Sequence, residues 1–388
     1  MSTVRHYRLA VIPADGIGAE VMPEALATLD AVAGRDAGLR FHYQTFDWGS
    51  EHYLHTGTMM PADGLTTLER GGFEAILLGP VGDPRVPDHV SLWGLLLPLR
   101  QSFDQYVNLR PMRLLAGVAS PLAGKSSAEI DMVCARENTE GEYAGIGGRM
   151  RQATPEEIAI QTIVFSRKGT ERIIRYAFEY ARRWNRRCRA GDCHCGRTAA
   201  GEFVSSHGRK KVTSATKSNS MQHNMVFWDE VFAAVAAEYP DIQHEQQLID
   251  SLAARMVSRP ESLDVIVASN LFGDILTDLG AAISGSMGLA PSANLNPERR
   301  YPSLFQAIHG SAPDIAGRGI ANPIGEIWSA AMLLDFLGEA DAAQQVEGAI
   351  GRVLQEGRVR TGDLGGRATT REMGEAIRAA LEPVPAGR

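Results

Sequence analysis

Asp274 and Asp278 stand four residues apart in the run Asn270-Leu271-Phe272-Gly273-Asp274-Ile275-Leu276-Thr277-Asp278. On a helix that spacing puts both carboxylates on one face. Two neighbouring carboxylates repel unless a cation lies between them, and hard divalent cations such as Mg²⁺ or Mn²⁺ take such oxygen ligands. The alternative on spacing alone is two solvated helix acids, with Asp274 gaining from the helix dipole. Arg100, Arg110 and Arg136 fall beside strand or turn signals, in Pro98-Leu99-Arg100, Asn108-Leu109-Arg110-Pro111 and Ala135-Arg136-Glu137-Asn138. Arginine binds carboxylates bidentately and keeps its charge, so a cluster of three would suit a dianion. Singly, each is more often a surface ion pair. Lys217, in Thr213-Ser214-Ala215-Thr216-Lys217-Ser218-Asn219, follows a polar strand; near another cation such an amine can lose its proton and act as a base. Tyr143, in Glu137-Asn138-Thr139-Glu140-Gly141-Glu142-Tyr143, could donate a proton, although a lone tyrosine is more often packing. The segment His309-Gly310-Ser311-Ala312-Pro313-Asp314 is dense in turn formers and small residues, which lets backbone approach a nucleotide closely.

These residues must be held by elements, and the chain alternates strand and helix signals throughout, as α/β proteins do. Leu9 to Pro13, Ala75 to Leu78, Met132 to Ala135 and Leu263 to Ala268 read as short buried strands. Glu20 to Ala33, Ile173 to Trp184, a stretch from about Leu271, Ala330 to Leu354 and Thr369 to Leu381 read as helices. The acidic pair therefore lies just past the C-terminal end of a strand, where open α/β sheets bind ligands. Gly16-Ile17-Gly18 is only superficially a dinucleotide fingerprint, because the third small residue would fall at Val21. A standard Rossmann site is disfavoured.

The bulk properties narrow the function class. The chain has 388 residues, 44% hydrophobic and 22% charged, with a net charge of −7. That length suggests two or three domains with ample core. The acidic balance argues against nucleic acid or an anionic membrane as partner, so an anionic substrate needs local cations. Met1 to Arg8 carries no targeting pattern, and the longest apolar stretch, Leu92 to Leu99, is too short to span a bilayer. Four cysteines, Cys134, Cys188, Cys193 and Cys195, do not make a disulfide framework. A cytoplasmic protein is expected. Residues 182–211 shift in composition, with many arginines and three of those cysteines, and read as a surface loop or insertion. Cys188, Cys193, His194, Cys195 and His207 raise zinc, but their spacing is not a clean CxxC pair, and a basic loop is the default.

Six segments occur together and in order: Ile12 to Glu20, Asn108 to Pro111, Arg136 to Tyr143, Thr216 to Asn219, Asn270 to Asp278 and His309 to Asp314. In this the chain resembles the isocitrate/isopropylmalate dehydrogenase family over nearly its whole length. Pro87 to Gly94, Phe103 to Asn108 and Glu142-Tyr143 resemble its tartrate/D-malate branch. The resemblance implies a two-domain α/β fold that is not Rossmann. Residues 1–105 and 286–388 would form a large cofactor-binding domain. Residues 106–285 would form a small dimerisation and metal/substrate domain, with an insertion near 184–208. It further implies catalytic Tyr143 and Lys217, substrate-binding Arg100, Arg110 and Arg136, and metal ligands Asp250, Asp274 and Asp278. Lys217 and Asp250 would come from the partner of a homodimer with shared active sites. His309, Gly310, Ser311, Ala312, Pro313, Asp314 and Asn322 would bind the cofactor, with Asp314 favouring NAD over NADP.

The implied activity is NAD-dependent oxidation of a small 2-hydroxy dicarboxylic acid, D-malate or tartrate, aided by Mn²⁺ or Mg²⁺ and followed by β-decarboxylation where the substrate permits. Two alternatives stand beside it: 3-isopropylmalate as substrate, and a catalytically inactive regulatory or binding paralogue. The chain departs from the family pattern at Ala14, Gln306 and Ser220, where glycine, glutamate and glycine are usual.

Overall fold

A computed structural model describes residues 4–36, 38–190 and 211–381. Cys193, His194, Cys195 and His207 lie outside the described residues. In chain order the first elements are β1 (Arg5–Ile12), α1 (Gly18–Arg35), β2 (Leu39–Thr45), α2 (Ser50–Thr56), α3 (Gly64–Arg70), β3 (Ala75–Leu78), α4 (Asp88–Ser91) and α5 (Leu97–Ser102). Then come β4 (Val107–Arg113), β5 (Asp131–Glu137), β6 (Gly141–Met150), β7 (Ile158–Val164), α6 (Arg167–Ala190), β8 (Val212–Thr216), α7 (Asn224–Ala236), β9 (His244–Leu248) and α8 (Ile249–Ser258). The last are β10 (Val265–Ala268), α9 (Asn270–Ile283), β11 (Pro291–Leu295), β12 (Ser303–Ala307), α10 (Ile324–Leu337), α11 (Ala340–Glu356) and α12 (Thr370–Ala379).

The chain divides into two compact units. The larger holds residues 1–105, 114–121 and 281–388; the smaller holds 106–113 and 122–280. The sequence had suggested one continuous middle segment, 106–285. Residues 114–121 and 281–285 instead group with the larger unit. Ser120 Oγ donates to the Ile283 carbonyl at 2.6 Å, and Arg360 Nη2 donates to the Gly117 carbonyl at 2.7 Å.

In the larger unit the strand order is β2-β1-β3-β12-β11. All pair in parallel except β11, which runs antiparallel to β12. The runs Leu9 to Ile12 and Ala75 to Leu78 are wholly buried, as expected for parallel strands covered on both faces. Helix α10 is buried along most of its length. The single helix expected over Ala330 to Leu354 is two, because Gly338 ends α10 in the left-handed region at φ 97°. The apolar stretch before Arg100 begins with a π-turn over Leu92–Leu96 that leads into α5.

In the smaller unit the order is β4-β5-β10-β8-β9, with β4 antiparallel to β5 and the rest parallel. Every residue of β10 (Val-Ile-Val-Ala) is buried. Arg136 on β5 lies opposite Ala268, the last residue of β10. This register sets Arg136 beside the start of α9. Strands β6 and β7 form a separate antiparallel ribbon. Its apolar residues Ile146, Met150, Ile158 and Ile160 are exposed. Among the described residues, no helix is long and apolar enough to cross a membrane.

Candidate active site

Helix α9 begins directly after β10, and its first turns carry Asn270, Asp274, Thr277 and Asp278. The strand delivers these polar groups to the carboxyl edge of the sheet. A carboxylate caps the helix: Glu142 accepts from Ser269 Oγ at 2.8 Å and from the Leu271 amide at 3.0 Å. This satisfies an amide that the helix itself leaves unpaired and adds negative charge at the positive dipole end.

Asp274 is the centre of the cluster. The Tyr143 hydroxyl donates to its Oδ2 at 3.0 Å. Arg136 Nη1 forms a close ion pair with its Oδ1, and Arg110 Nη1 reaches the same oxygen at 3.3 Å. Arg110 Nη1 also donates to Thr277 Oγ1 at 2.7 Å and lies 3.6 Å from Asp278 Oδ1. Both guanidiniums are buried, at 5% and 1% residue exposure, so their charge acts at low screening. Burial, reinforced by the like charge of Arg136, lowers Arg110 to about 10. Burial raises the Asp278 carboxyl. It also pushes the Tyr143 phenol up to about 12, with the Asp274 charge adding to the rise. The tyrosine is therefore a protonated donor at neutral pH. The Arg136 guanidinium carbon sits 5.6 Å from the Tyr143 ring centroid, a cation–π contact that orients the ring.

Three residues of this cluster were not singled out in the sequence as site residues. Asn270 accepts from Arg136, Glu142 caps α9, and Gly273 makes room. A Cβ at Gly273 would lie 2.6 Å from both Cβ and Cγ of Arg136. The available signal was a glycine inside a helical pattern, which often marks close packing.

The other expected residues are not part of this cluster. Lys217, one residue past β8, donates from Nζ to Asp250 Oδ1 at 2.8 Å. Asp250 is in the first turn of α8, and β8 pairs with β9 so that Thr216 faces Leu248, which brings the two ends together. The lysine ammonium holds the Asp250 carboxyl below its ordinary value. Among the described residues, no group of three or more acidic, histidine or cysteine side chains is placed to hold a metal ion. One chain thus offers the Asp274–Asp278 pair in one place and Asp250 in another. The pair's hard carboxylate oxygens suit a hard divalent cation, whose coordination needs more oxygens than these two side chains supply. Arg100 is buried on α5, in the larger unit.

The loop from His309 to Asp314 and Asn322 also belong to the larger unit. The Ser311 carbonyl accepts from the Ile17 amide at 2.9 Å, and a Cβ at Gly16 would lie 2.0 Å from that oxygen. Only glycine permits this crossing of the two loops. Asp15 anchors the first loop through three 2.7 Å bonds, from the Ser50 amide, Ser50 Oγ and the Gly82 amide. Ala14 has φ 55°, the left-handed conformation in which the family's usual glycine carries no Cβ penalty. Asn322 Nδ2 donates to Asp363 Oδ2 at 2.9 Å, and its Oδ1 accepts from the Ile324 amide at 3.0 Å. Pro313 and Asp314 are exposed, and a Cβ at Gly310 would meet nothing within 4 Å. His309 Nε2 is buried without a protein partner, and burial lowers its pKa. A loop with open backbone and an unused polar nitrogen fits a bound nucleotide. Behind it, Glu326 on α10 is fully buried; its Oε2 accepts from the Ala307 amide at 2.9 Å and its Oε1 has no partner.

The family model described as isocitrate/isopropylmalate dehydrogenase matches residues 8–189 and 197–377. The D-malate dehydrogenase [decarboxylating] of Escherichia coli is 50% identical over 381 residues, covering 96% of this chain and 98% of that protein. The tartrate dehydrogenase/decarboxylase of Pseudomonas putida is 48% identical over 379 residues, covering 96% of each. The crystal structure of isocitrate dehydrogenase from Methylococcus capsulatus matches with a TM-score of 0.81 at 34% identity, over 97% of this chain and 99% of that one. With the family model matching almost end to end, and relatives of this identity covered over nearly their full length, the chain belongs to the isocitrate/isopropylmalate dehydrogenase family.

Proposed function

We propose that this protein oxidises a small 2-hydroxy dicarboxylic acid, D-malate or tartrate, with NAD, and releases CO₂ where the substrate carries a β-carboxylate. The observation that carries the reading is the cluster in which two buried arginines and a tyrosine converge on Asp274. The relatives named for tartrate and D-malate support the choice of substrate.

Arg110 and Arg136, with Arg100, bind the substrate's carboxylates. Buried guanidiniums give charge-assisted, bidentate recognition and exclude uncharged analogues. Asp274 and Asp278, with Asp250 of a second copy, would hold Mn²⁺ or Mg²⁺, which would supply Lewis-acid polarisation of the substrate's oxygens. The His309–Asp314 loop and Asn322 would hold NAD, which would supply the hydride acceptor, and the Asp314 carboxylate would disfavour a 2′-phosphate. Lys217 takes the hydroxyl proton. The 2-keto acid then loses CO₂, and Tyr143 delivers a proton to the carbon that lost it. The raised phenol pKa keeps that proton in place until it is needed.

The separation of Lys217 and Asp250 from the other acids supports a homodimer that completes each site across two copies. The exposed apolar ribbon residues Ile146, Met150, Ile158 and Ile160, together with the exposed Ile275 beside Asp274, suit burial against a second copy. The cytoplasm is the compartment this reading assigns, and Cys134, a described cysteine, is a free buried thiol.

The test is NADH formation by purified protein with Mn²⁺, on D-malate, tartrate and 3-isopropylmalate, with CO₂ followed in parallel. Turnover of D-malate with matching CO₂ is the expected result. Preference for 3-isopropylmalate would overturn the substrate assignment. No turnover by metal-loaded dimer would point to an inactive paralogue.

A further inference from the structure

One edge of the buried Arg136 guanidinium meets an amide, while its Nη1 pairs with the Asp274 carboxylate. Asn270 Oδ1 accepts from Arg136 Nε at 3.0 Å and from Nη2 at 2.7 Å. These two N–H groups form one edge of the guanidinium fork. At Arg182 the same edge meets a carboxylate, with Nε at 3.3 Å and Nη2 at 2.6 Å from the two oxygens of Asp241. That pair is partly exposed, and its charges cancel locally. At Arg136, which is 1% exposed, a neutral oxygen takes the edge instead.

A neutral acceptor satisfies two donors without cancelling the charge. Nη1 is left turned towards Asp274. The amide is itself fixed: Asn270 Nδ2 donates to the Glu140 carbonyl at 3.0 Å, which sets the oxygen end towards the arginine. Gly273 leaves room for the Arg136 stem, since a Cβ there would lie 2.6 Å from Arg136 Cβ and Cγ. Asn270 opens α9 and Arg136 lies opposite Ala268, so the sheet register brings the amide and the fork together.

We infer that Asn270 is a positioning residue, holding the Arg136 guanidinium in register for a substrate carboxylate through an uncharged acceptor that adds no negative charge to that of Asp274. The inference rests on the reading of Arg136 as a carboxylate binder given above. An aspartate at 270 would accept the same two N–H groups with nearly the same shape. It would place a second negative charge against the fork and compete with the substrate for it.

The experiment compares Asn270→Asp, Asn270→Ala and Arg136→Met in the full-length protein with Mn²⁺. It reads the KM for D-malate, the KM for NAD, and the rise in melting temperature that D-malate induces without NAD. Asn270→Asp is expected to raise the KM for D-malate roughly ten-fold, the scale of one weakened charge-assisted bond. It should also shrink the D-malate-induced shift, leave the KM for NAD unchanged and lower the unliganded melting temperature, because the donor to the Glu140 carbonyl is lost. Asn270→Ala should raise the same KM and lower that temperature. A D-malate KM within two-fold of wild type for Asn270→Asp, with a large increase for Arg136→Met, would overturn the role of Asn270 alone. An unchanged D-malate KM and thermal shift in Arg136→Met would overturn the reading of Arg136, and this inference with it.

Discussion

Glu326 is a buried acid with no cation beside it, and its replacement by glutamine gives a sharp test of that environment. Burial raises its pKa from the ordinary 4.5 to about 8, against a small lowering by the Ala307 amide. The folded protein therefore holds this proton over a range where the unfolded chain has released it. For an acid raised in the folded state, stability is highest below the unfolded pKa and falls as pH rises towards the folded value. In the middle of that window the loss is about 1.4 kcal/mol per pH unit, or roughly 3 kcal/mol between pH 5 and pH 8. Glu326→Gln removes the proton and keeps an oxygen for the Ala307 amide. Other titrating groups cancel when the two proteins are compared at each pH. The variant should match wild type near pH 5 and be more stable by about 3 kcal/mol at pH 8. With an unfolding entropy of about 2.1 cal/mol/K per residue, that is a gap of about 4 °C in melting temperature. Calorimetry of both proteins from pH 5 to 8 would read it. A gap that stays constant across that range would refute the argument that Glu326 is held neutral by burial.

Other outcomes follow from the site itself. Gly273→Ala puts a methyl 2.6 Å from the Arg136 stem, which must move; the KM for the dicarboxylate should rise at least ten-fold with a stability loss of about 1–3 kcal/mol, measured by steady-state kinetics and urea unfolding. Tyr143→Phe should abolish CO₂-linked turnover yet still reduce an added 2-keto acid with NADH; equal loss of both partial reactions would count against the proton-donor role. Asp278→Asn should weaken Mn²⁺ binding, read by titration calorimetry, and leave NAD binding intact, because the two sets of residues belong to different units.

Much of this molecule is legible along the sequence. The apolar runs at Leu9 to Ile12, Ala75 to Leu78 and Val265 to Ala268 form wholly buried strands, since a strand covered on both faces needs little else. The four-residue step from Asp274 to Asp278 is a local helical fact, and the ordered motifs carry the family. These signals depend on neighbours within a few residues, where propensity and periodicity act.

What only the tertiary structure decided is which distant groups meet. Arg136 and Asn270 are 134 residues apart, and the register of β5 against β10 joins them. Glu142 caps a helix that starts more than a hundred residues later. Glu326 stands in an apolar run, but only the fold shows that its carboxyl is fully buried against the Ala307 amide. Lys217 and Asp250, expected to be given by each copy to its partner's site, meet because β8 and β9 end side by side. Strand pairing fixes these contacts through backbone hydrogen bonds that carry no residue identity, so no local pattern in the sequence encodes them.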